Sequence, residues 1–462
     1  MQLLGITINA EMTSTDRKIL QLALPSIVSN ITVPLLGLCD VTIMGHVGGA
    51  AHIGAITVGS MVFNVMYWLF GFLRMGTSGL TAQAWGGRHL TDVTAMLWRG
   101  LGVGIGLGLL IVVLQVPIGR LAFWLMQPTD EVVRLCTPYY YIGIWGAPAV
   151  LGLYALTGWF IGMQNTRTPM LIAIAQNVAN IALSLLLVVG LEMGVEGVAI
   201  GTVTAQWLGF LTALLLLLSR YGKLLRRHRA GLRSMFSRLG HFFRLNLDIF
   251  MRTVCLVAVN LYFTSAGAAQ GALILAANAL LMQLFMLFSY VMDGFAYAGE
   301  ALAGRYYGAG NDAMLRHTVK RLFRWGVGVA VVFTLLYGLG GEAFLSLLTT
   351  DDRVTATART FLPWAVLIPA AGMAAFVWDG VFIGLTATRD MLVACLVASV
   401  VFFAVCLSLF TAMGNHALWL ALLLYLALRG IVQTVIASAS LLRPRADRAA
   451  VADGNCSNGG RP

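Results

Sequence analysis

Long apolar stretches are the feature that most limits how this chain can fold. A helix that crosses a bilayer needs about 20 mostly apolar residues. Backbone inside lipid must satisfy its own hydrogen bonds, so only helices and closed barrels can cross. The stretches here are too long and too uniformly apolar for barrel strands. They lie at roughly 19–44, 52–83, 93–118, 134–162, 168–190, 195–219, 242–266, 273–303, 316–340, 358–384, 391–413 and 416–440. The sequence therefore predicts an all-α membrane protein with twelve transmembrane helices.

The distribution of charge supports this class and predicts an orientation. Only 11% of the 462 residues are charged, whereas a soluble chain has about 25%. Eight of the 30 Lys and Arg residues lie in the segment from Arg220 to Arg244, and only four lie on the opposite connections. The positive-inside rule then predicts that both termini face the cytoplasm. The net charge of +11 follows from these basic segments, which favour anionic membrane lipids over nucleic acid as partners.

The two halves of the chain repeat with an offset of 222 residues. Phe160-Ile161-Gly162 recurs as Phe382-Ile383-Gly384, and Thr166-Arg167 recurs as Thr388-Arg389. The repeat predicts two pseudo-symmetric six-helix lobes, and a duplicated bundle of this kind is typical of a carrier that binds its substrate at the repeat interface. We predict an N-lobe at 1–219, a basic cytoplasmic linker at 220–241, a C-lobe at 242–440 and a flexible cytoplasmic tail at 441–462.

Four motifs resemble the DinF branch of the multidrug and toxic compound extrusion (MATE) family, and together they cover essentially the whole chain. They are Pro25, Asn30, Pro34, Gly37, Asp40 and Gly45-His46 in the first span, Asp293 to Ala298 with Glu300 in the eighth, Trp378 to Gly384, and Asn415 to Leu420. The resemblance implies two six-helix lobes arranged as a V in a bacterial inner membrane. It also implies export of hydrophobic, often cationic compounds in exchange for protons or sodium ions. We expect a monomer that needs no cofactor beyond the ion gradient.

Asp40 is the strongest candidate for the coupling site. It lies in the first span, with no other acid within twenty residues. Burial in the bilayer disfavours the charged form of a carboxylate, so such a group is suited to carry a proton or to balance a cationic substrate. A hydrogen-bonded aspartate with no role in transport, near the end of the helix, is the structural alternative.

The resemblance also suggests polar partners for Asp40. Related proteins place an Asn-x-x-x-Asp pattern on the fifth span and a threonine on the sixth, and the corresponding residues here are Asn180, Ser184 and Thr202. Asn177 shares a helix face with Asn180. Ser184 replaces the second carboxylate and cannot titrate. A sodium site in this lobe is therefore less favoured, because hard cations prefer charged oxygen ligands. These residues are alternatively interhelical contacts without a role in transport.

The C-lobe holds several further polar candidates, which are Asp248, Gln283, Asp293, Tyr297, Glu300 and Asp379. Asp293 and Glu300 are seven residues apart, so they lie on one helix face and either bind substrate or ion, or form a structural network. Asp248 and Arg252 are four residues apart, and we expect them to form a structural pair.

We therefore expect a proton-coupled antiporter for amphipathic, cationic organic compounds. Sodium-coupled export is an alternative, and so is a flippase for a lipid-linked precursor. The flippase would need Arg inside the spans for phosphate, where acids outnumber clear Arg residues. The scattered cysteines and histidines show neither metal-ligand spacing nor a catalytic constellation, so neither a metal site nor an enzyme is expected.

Pro25 and Pro34 each remove a backbone hydrogen bond inside the first span, so this helix can bend. Our hypothesis is that protonation of Asp40 lets the helix bend and shrinks the substrate volume. Pro34→Ala should then slow the efflux of a lipophilic cation from vesicles. Export at the wild-type rate would show that the kink is static.

Overall fold

A computed structural model describes residues 14–47, 50–228, 230–231, 239–349 and 351–441, and all structural statements below concern those residues. All of their regular secondary structure is helical. The prediction of an all-α protein is thus confirmed. Part of the predicted basic linker (229 and 232–238) and nearly all of the predicted tail lie outside the described residues.

The helices of the first half follow one another with short connections. They are α1 (Ser14–Val47), α2 (Ala50–Leu69), α3 (Phe72–Gly86), α4 (Leu90–Val113), α5 (Gln115–Met126), α6 (Asp130–Gly143), α7 (Ala147–Gly162), α8 (Arg167–Leu185) and α9 (Gly194–Arg227). A 3-10 turn, Ile144–Gly146, joins α6 to α7, and a π-helical turn, Leu186–Gly190, extends α8.

The second half has six longer helices. They are α10 (Leu239–Ala269), α11 (Ala272–Gly308), α12 (Asp312–Leu348), α13 (Asp352–Gly384), α14 (Thr388–Met413) and α15 (Asn415–Ile436), which a π-helical turn continues to Leu441. Each corresponds to one or two helices of the first half. For example, α13 is continuous through Pro363 and Pro369, whereas α6 and α7 are interrupted.

Eleven helical segments among the described residues are long and apolar enough to cross a membrane. They coincide with the second to the twelfth predicted span. The first predicted span lies within α1, which has 34 residues. Every apolar stretch found in the sequence is therefore largely helical, with short breaks at 70–71 and 114.

The described residues form two compact units. The first unit comprises the described part of Leu24–Phe250, and the second comprises the described parts of Met1–Ala23 and Met251–Pro462. Each unit thus includes the opening turns of the other half's first helix. The lobe boundaries at 219 and 242 remain a prediction.

Side-chain contacts explain where these opening turns pack. In the second unit, buried Asp16 at the start of α1 forms an ion pair with Arg321 (3.3 Å) and accepts a hydrogen bond from Trp325 Nε1 (3.2 Å), both on α12. In the first unit, Phe250 of α10 packs edge-on against Phe72 of α3, with ring centroids 6.1 Å apart.

Three backbone turns confirm the duplication. Residues in left-handed conformation recur at the 222-residue offset as Arg88 and Gly310 (φ 60° and 70°), Gln164 and Thr386 (61° and 55°), and Glu192 and Gly414 (54° and 55°). The hydrogen bonds that close the turns recur with them. Asn165 N donates to Phe160 O, for instance, as Ala387 N donates to Phe382 O.

Close helix packing repeats at the same offset. Gly158 of α7 lies against the carbonyl oxygen of Arg74 on α3, and Gly380 of α13 lies against the carbonyl oxygen of Ala296 on α11. A Cβ at either glycine would lie inside van der Waals range of that oxygen. Because lipid is as apolar as the helix surfaces, small residues that permit such approach drive association.

Gly158→Ala and Gly380→Ala should each destabilise the protein by about 1–3 kcal/mol, because the neighbouring backbone has to move. Thermal unfolding of the purified protein in detergent measures the change. Gly106→Ala and Gly328→Ala are matched controls, since a Cβ there meets nothing within 4 Å. Equal effects in the two pairs would contradict the packing argument.

Candidate functional site

A hydrogen-bonded polar chain lies inside the first unit, between α8 and α9. Asn180 Nδ2 donates to Thr202 Oγ1 at 2.9 Å, and Ser184 Oγ donates to Asn180 Oδ1 at 3.4 Å. Thr202 Oγ1 in turn donates to the carbonyl oxygen of Val198 at 2.9 Å. Asn180 and Ser184 are buried, with 1% and 0% of their surface exposed. The structure thus brings together three of the residues proposed as partners of Asp40.

Asn177, one turn before Asn180 on α8, contacts the first helix. Its Nδ2 donates to the carbonyl oxygen of Thr32 on α1 at 3.0 Å. Thr32 lies two residues before Pro34, where the missing N–H of the proline already weakens the helix. Asn177 therefore holds α1 against α8 beside the predicted point of bending.

Asp40 lies on α1, and its side chain is outside the described part of the structure. Its backbone follows Thr32 by eight residues, which corresponds to about 12 Å along the helix. The contact of Asn177 with Thr32 therefore lies about two turns before Asp40 along α1, and the role of Asp40 remains a prediction.

A second polar network lies inside the second unit and is centred on Asp379 of α13. Its carboxylate accepts hydrogen bonds from Arg252 of α10 and Arg429 of α15 at Oδ2, and from Gln433 of α15 at Oδ1 (2.8 Å). All four residues are at most 7% exposed. Two guanidinium groups thus face one carboxylate, so this carboxylate is already neutralised by the protein itself.

Aromatic and sulfur contacts complete this network. Arg429 lies over the ring of Tyr425, with its guanidinium carbon 5.4 Å from the ring centroid. The Tyr425 hydroxyl lies 3.5 Å from Cys395 Sγ. A buried charge is stable only when it is paired and hydrogen-bonded. The network therefore fastens α10, α13, α14 and α15 together.

The remaining predicted residues of the second half lie on α10 and α11. Asp293, Tyr297 and Glu300 lie on α11, with Glu300 only 1% exposed, whereas Gln283 is exposed on the same helix. Asp248 lies one turn before Arg252 on α10. Because the acid that accepts from Arg252 is Asp379, the proposed pair of Asp248 and Arg252 remains a prediction.

The sequence motifs of the second half have identifiable packing roles. Trp378 Nε1 donates to Thr434 Oγ1 at 2.7 Å, beside the Asp379 network. Gly380 and Gly384 of the same motif lie against the carbonyl oxygens of Ala296 and Glu300. The motif at 378–384 therefore joins α13 to α15 on one side and to α11 on the other.

Sequence reasoning did not find the buried Asn278, and it named Asn415 and Trp419 only as parts of a family motif. Asn278 and Asn415 exchange two hydrogen bonds of 2.8 Å, and Trp419 Nε1 donates to Asn278 Oδ1 at 3.0 Å. Arg429 and Gln433 were also missed, although a basic residue inside an apolar stretch is a detectable signal. Only the fold shows which acid such a residue meets.

Duplicated helical halves with polar networks buried in their apolar spans define a polytopic membrane carrier. The MatE family model matches residues 25–186 and 249–407 of this chain. DNA damage-inducible protein F of Escherichia coli is 38% identical over 425 residues, which cover 91% of this chain and 92% of that protein. Protein DETOXIFICATION 44 of Arabidopsis thaliana is 25% identical over 433 residues, 89% and 80% of the two chains.

Solved structures show the same fold. A eukaryotic MATE transporter, AtDTX14, superposes with a TM-score of 0.82 at 17% identity, over 95% of this chain and 99% of that one. A MATE protein in the bent conformation gives 0.78 at 18% identity, over 96% and 98%.

The chain therefore belongs to the MatE family, and its resemblance to the DinF branch is confirmed. It is a multi-pass membrane protein of a family of multidrug and toxin efflux transporters, and its relatives are transporters rather than enzymes.

Asp379→Asn should destabilise the protein by about 3–5 kcal/mol, because it leaves two buried guanidinium groups without their carboxylate. Thermal unfolding in detergent measures the loss. Asp352→Asn on the exposed first turn of α13 is the matched control, with an expected change within about 0.5 kcal/mol. An Asp379→Asn protein that unfolds like the control would show that the network does not hold these helices.

Proposed function

We propose that this chain exports amphipathic, cationic organic compounds in exchange for protons, and that Asp40 carries the proton. The observation that carries the proposal is a set of neutral polar residues on α8 and α9. Asn180, Ser184 and Thr202 are hydrogen-bonded to one another, and Asn177, one turn earlier on α8, donates to the carbonyl oxygen of Thr32 on α1. This set supplies polar groups and no second carboxylate beside the helix that bears Asp40. One titrating group with neutral surroundings suits a proton carrier.

The chemistry of the cluster favours protons over sodium ions. A hard cation requires several oxygen ligands, of which some are charged. The oxygens of Asn180 and Thr202 already accept hydrogen bonds from Ser184 and Asn180. A sodium ion would have to share the lone pairs of these oxygens with the hydrogen-bond donors, whereas protonation of Asp40 needs no change in these bonds.

The contacts of Asp379 in the second half support the assignment of the proton site to Asp40, because they make Asp379 a poor alternative. Asp379 is balanced by Arg252 and Arg429, so it offers no free negative charge to a cationic substrate. Asp379 is therefore a weaker candidate than Asp40 for the coupling charge.

The proposed cycle is a competition between ligands. Deprotonated Asp40 binds a cationic substrate from the inner side, and a proton from outside neutralises it and releases the substrate. Antiport follows if each ligand favours a different conformation. Each proton that enters supplies about 2.3 kcal/mol per 100 mV of membrane potential.

The relatives support the substrate class. Similar proteins include a probable multidrug resistance protein NorM of Synechocystis sp. and multidrug and toxin extrusion protein 2 of Mus musculus. We also propose that the protein lies in a bacterial inner membrane with both termini in the cytoplasm, and that it works as a monomer with membrane lipids as its surroundings.

Asp40→Asn should abolish proton-driven efflux, because the amide cannot bind or release a proton. Inverted vesicles measure transport as uptake of a fluorescent lipophilic cation into the lumen, under an imposed pH gradient and then under a sodium gradient. We expect transport with the pH gradient alone in the wild type, and none in the variant.

Asp130→Asn, on the exposed first turn of α6, is the matched control and should transport normally. Pumping driven by sodium alone would contradict the proton assignment. Normal pumping by Asp40→Asn would contradict the site.

Flipping of a lipid-linked precursor is a second candidate, and one observation favours it. Arg252 and Arg429 are both buried within spans, and together with Asp379 they leave one net positive charge that a phosphate headgroup could balance. Liposomes that contain the protein and a polyprenyl-phosphate-linked sugar distinguish the two functions. Translocation of that lipid without efflux of cations would favour the flippase.

A further inference from the structure

Two cavities lie side by side at one end of the first unit, where α4 begins and α9 ends. The first has a volume of about 330 Å³ and is lined by the turn before α4, with Arg88, His89 and Asp92, and by His228 after α9. The second has a volume of about 400 Å³ and is lined by Trp98 of α4 and the last turns of α9. One cavity is thus polar and the other largely apolar.

The apolar cavity reaches deeper into the helices than the polar one. Trp98 lies eight residues after Leu90, and Leu218 lies ten residues before His228. At 1.5 Å per residue, the apolar cavity extends about 12–15 Å further into the span than the polar one. Half the hydrocarbon core of a bilayer is about 15 Å thick. The pair therefore has the polarity and depth of one phospholipid in one leaflet.

The charges around the cavities select the headgroup. Arg88 lines the polar cavity and Arg226 lines the other, against the single acid Asp92. His89 and His228 add ring N–H donors for phosphate oxygens. This balance fits an anionic headgroup and disfavours a zwitterionic one.

Comparison with the second half shows that these charges are not required by the fold. The turn equivalent to Arg88 and His89 has Gly310 and Asn311, and it adopts the same left-handed conformation with φ of 70°. Glycine adopts this conformation without cost, whereas other residues do so with some strain. The first half therefore keeps an arginine where the backbone alone favours glycine.

From this geometry we infer that the two cavities form a binding site for one anionic phospholipid. The phosphate lies between Arg88 and His228, and an acyl chain lies along Trp98, Leu218 and Gly222. Because α4 and α9 frame the site, the lipid bridges the ends of these two helices. The site is distinct from the cluster around Asn180 and does not depend on the proposed coupling ion.

Lipid binding can be measured by native mass spectrometry of the full chain, delipidated in detergent and titrated with dioleoyl phosphatidylglycerol or dioleoyl phosphatidylcholine. We expect preferential binding of phosphatidylglycerol. Each basic side chain near a membrane surface contributes about 1 kcal/mol, so Arg88→Gln and Arg226→Gln should each weaken binding about fivefold. Arg227→Gln is the matched control, because Arg227 is exposed on the same turn and does not line either cavity.

Gly222→Leu tests the acyl-chain half of the site separately. A Cβ at Gly222 meets nothing within 4 Å, so the leucine fills the apolar cavity without a clash and favours the helix. We expect weaker binding of phosphatidylglycerol despite the added apolar surface.

Four results would overturn the inference. They are equal binding of phosphatidylcholine, equal losses in Arg227→Gln and the two lining variants, unchanged binding by Gly222→Leu, and competition by glycerol 3-phosphate at the same concentration as phosphatidylglycerol. The last result would identify a site for soluble phosphates instead of a lipid.

Discussion

Close backbone contact between helices is the constraint on which both halves of this protein depend. Apolar helix faces gain no hydrophobic free energy when they leave lipid to contact each other, so helix association relies on packing and on buried hydrogen bonds. Gly158 and Gly380 allow a helix to rest on a neighbouring carbonyl oxygen, at the same place in each half. The polar networks around Asn180 and Asp379 join further helices, α8 to α9 in the first half and α13 to α10 and α15 in the second.

The sequence was sufficient to predict the helices and the duplication, because both depend on local composition. An apolar run of about 20 residues satisfies its backbone hydrogen bonds in lipid by forming a helix. The match of Phe160-Ile161-Gly162 with Phe382-Ile383-Gly384 marks two turns that the structure shows to be equivalent, at Gln164 and Thr386. The packing of the opening turns was not predictable, since Asp16 meets Arg321 across most of the chain.

The candidate site was predictable only where its residues share a helix. Asn177, Asn180 and Ser184 follow helical spacing on α8, and the sequence places them on neighbouring positions. Asp379 is different, because its partners Arg252 and Arg429 lie 127 and 50 residues away. No periodicity connects residues on separate spans. Counting acids and arginines therefore overestimated the free negative charge in the second half.

The position of Asp16 has a consequence for biosynthesis. Its partner Trp325 lies 309 residues further along the chain, and a ribosome adds about 5–20 residues per second. Some 15–60 s therefore pass between synthesis of the acid and synthesis of the side chains that bury it. During that interval the nascent first helix carries a carboxylate without its final partners. The start of α1 therefore reaches its final packing only after the spans up to α12 have been synthesised.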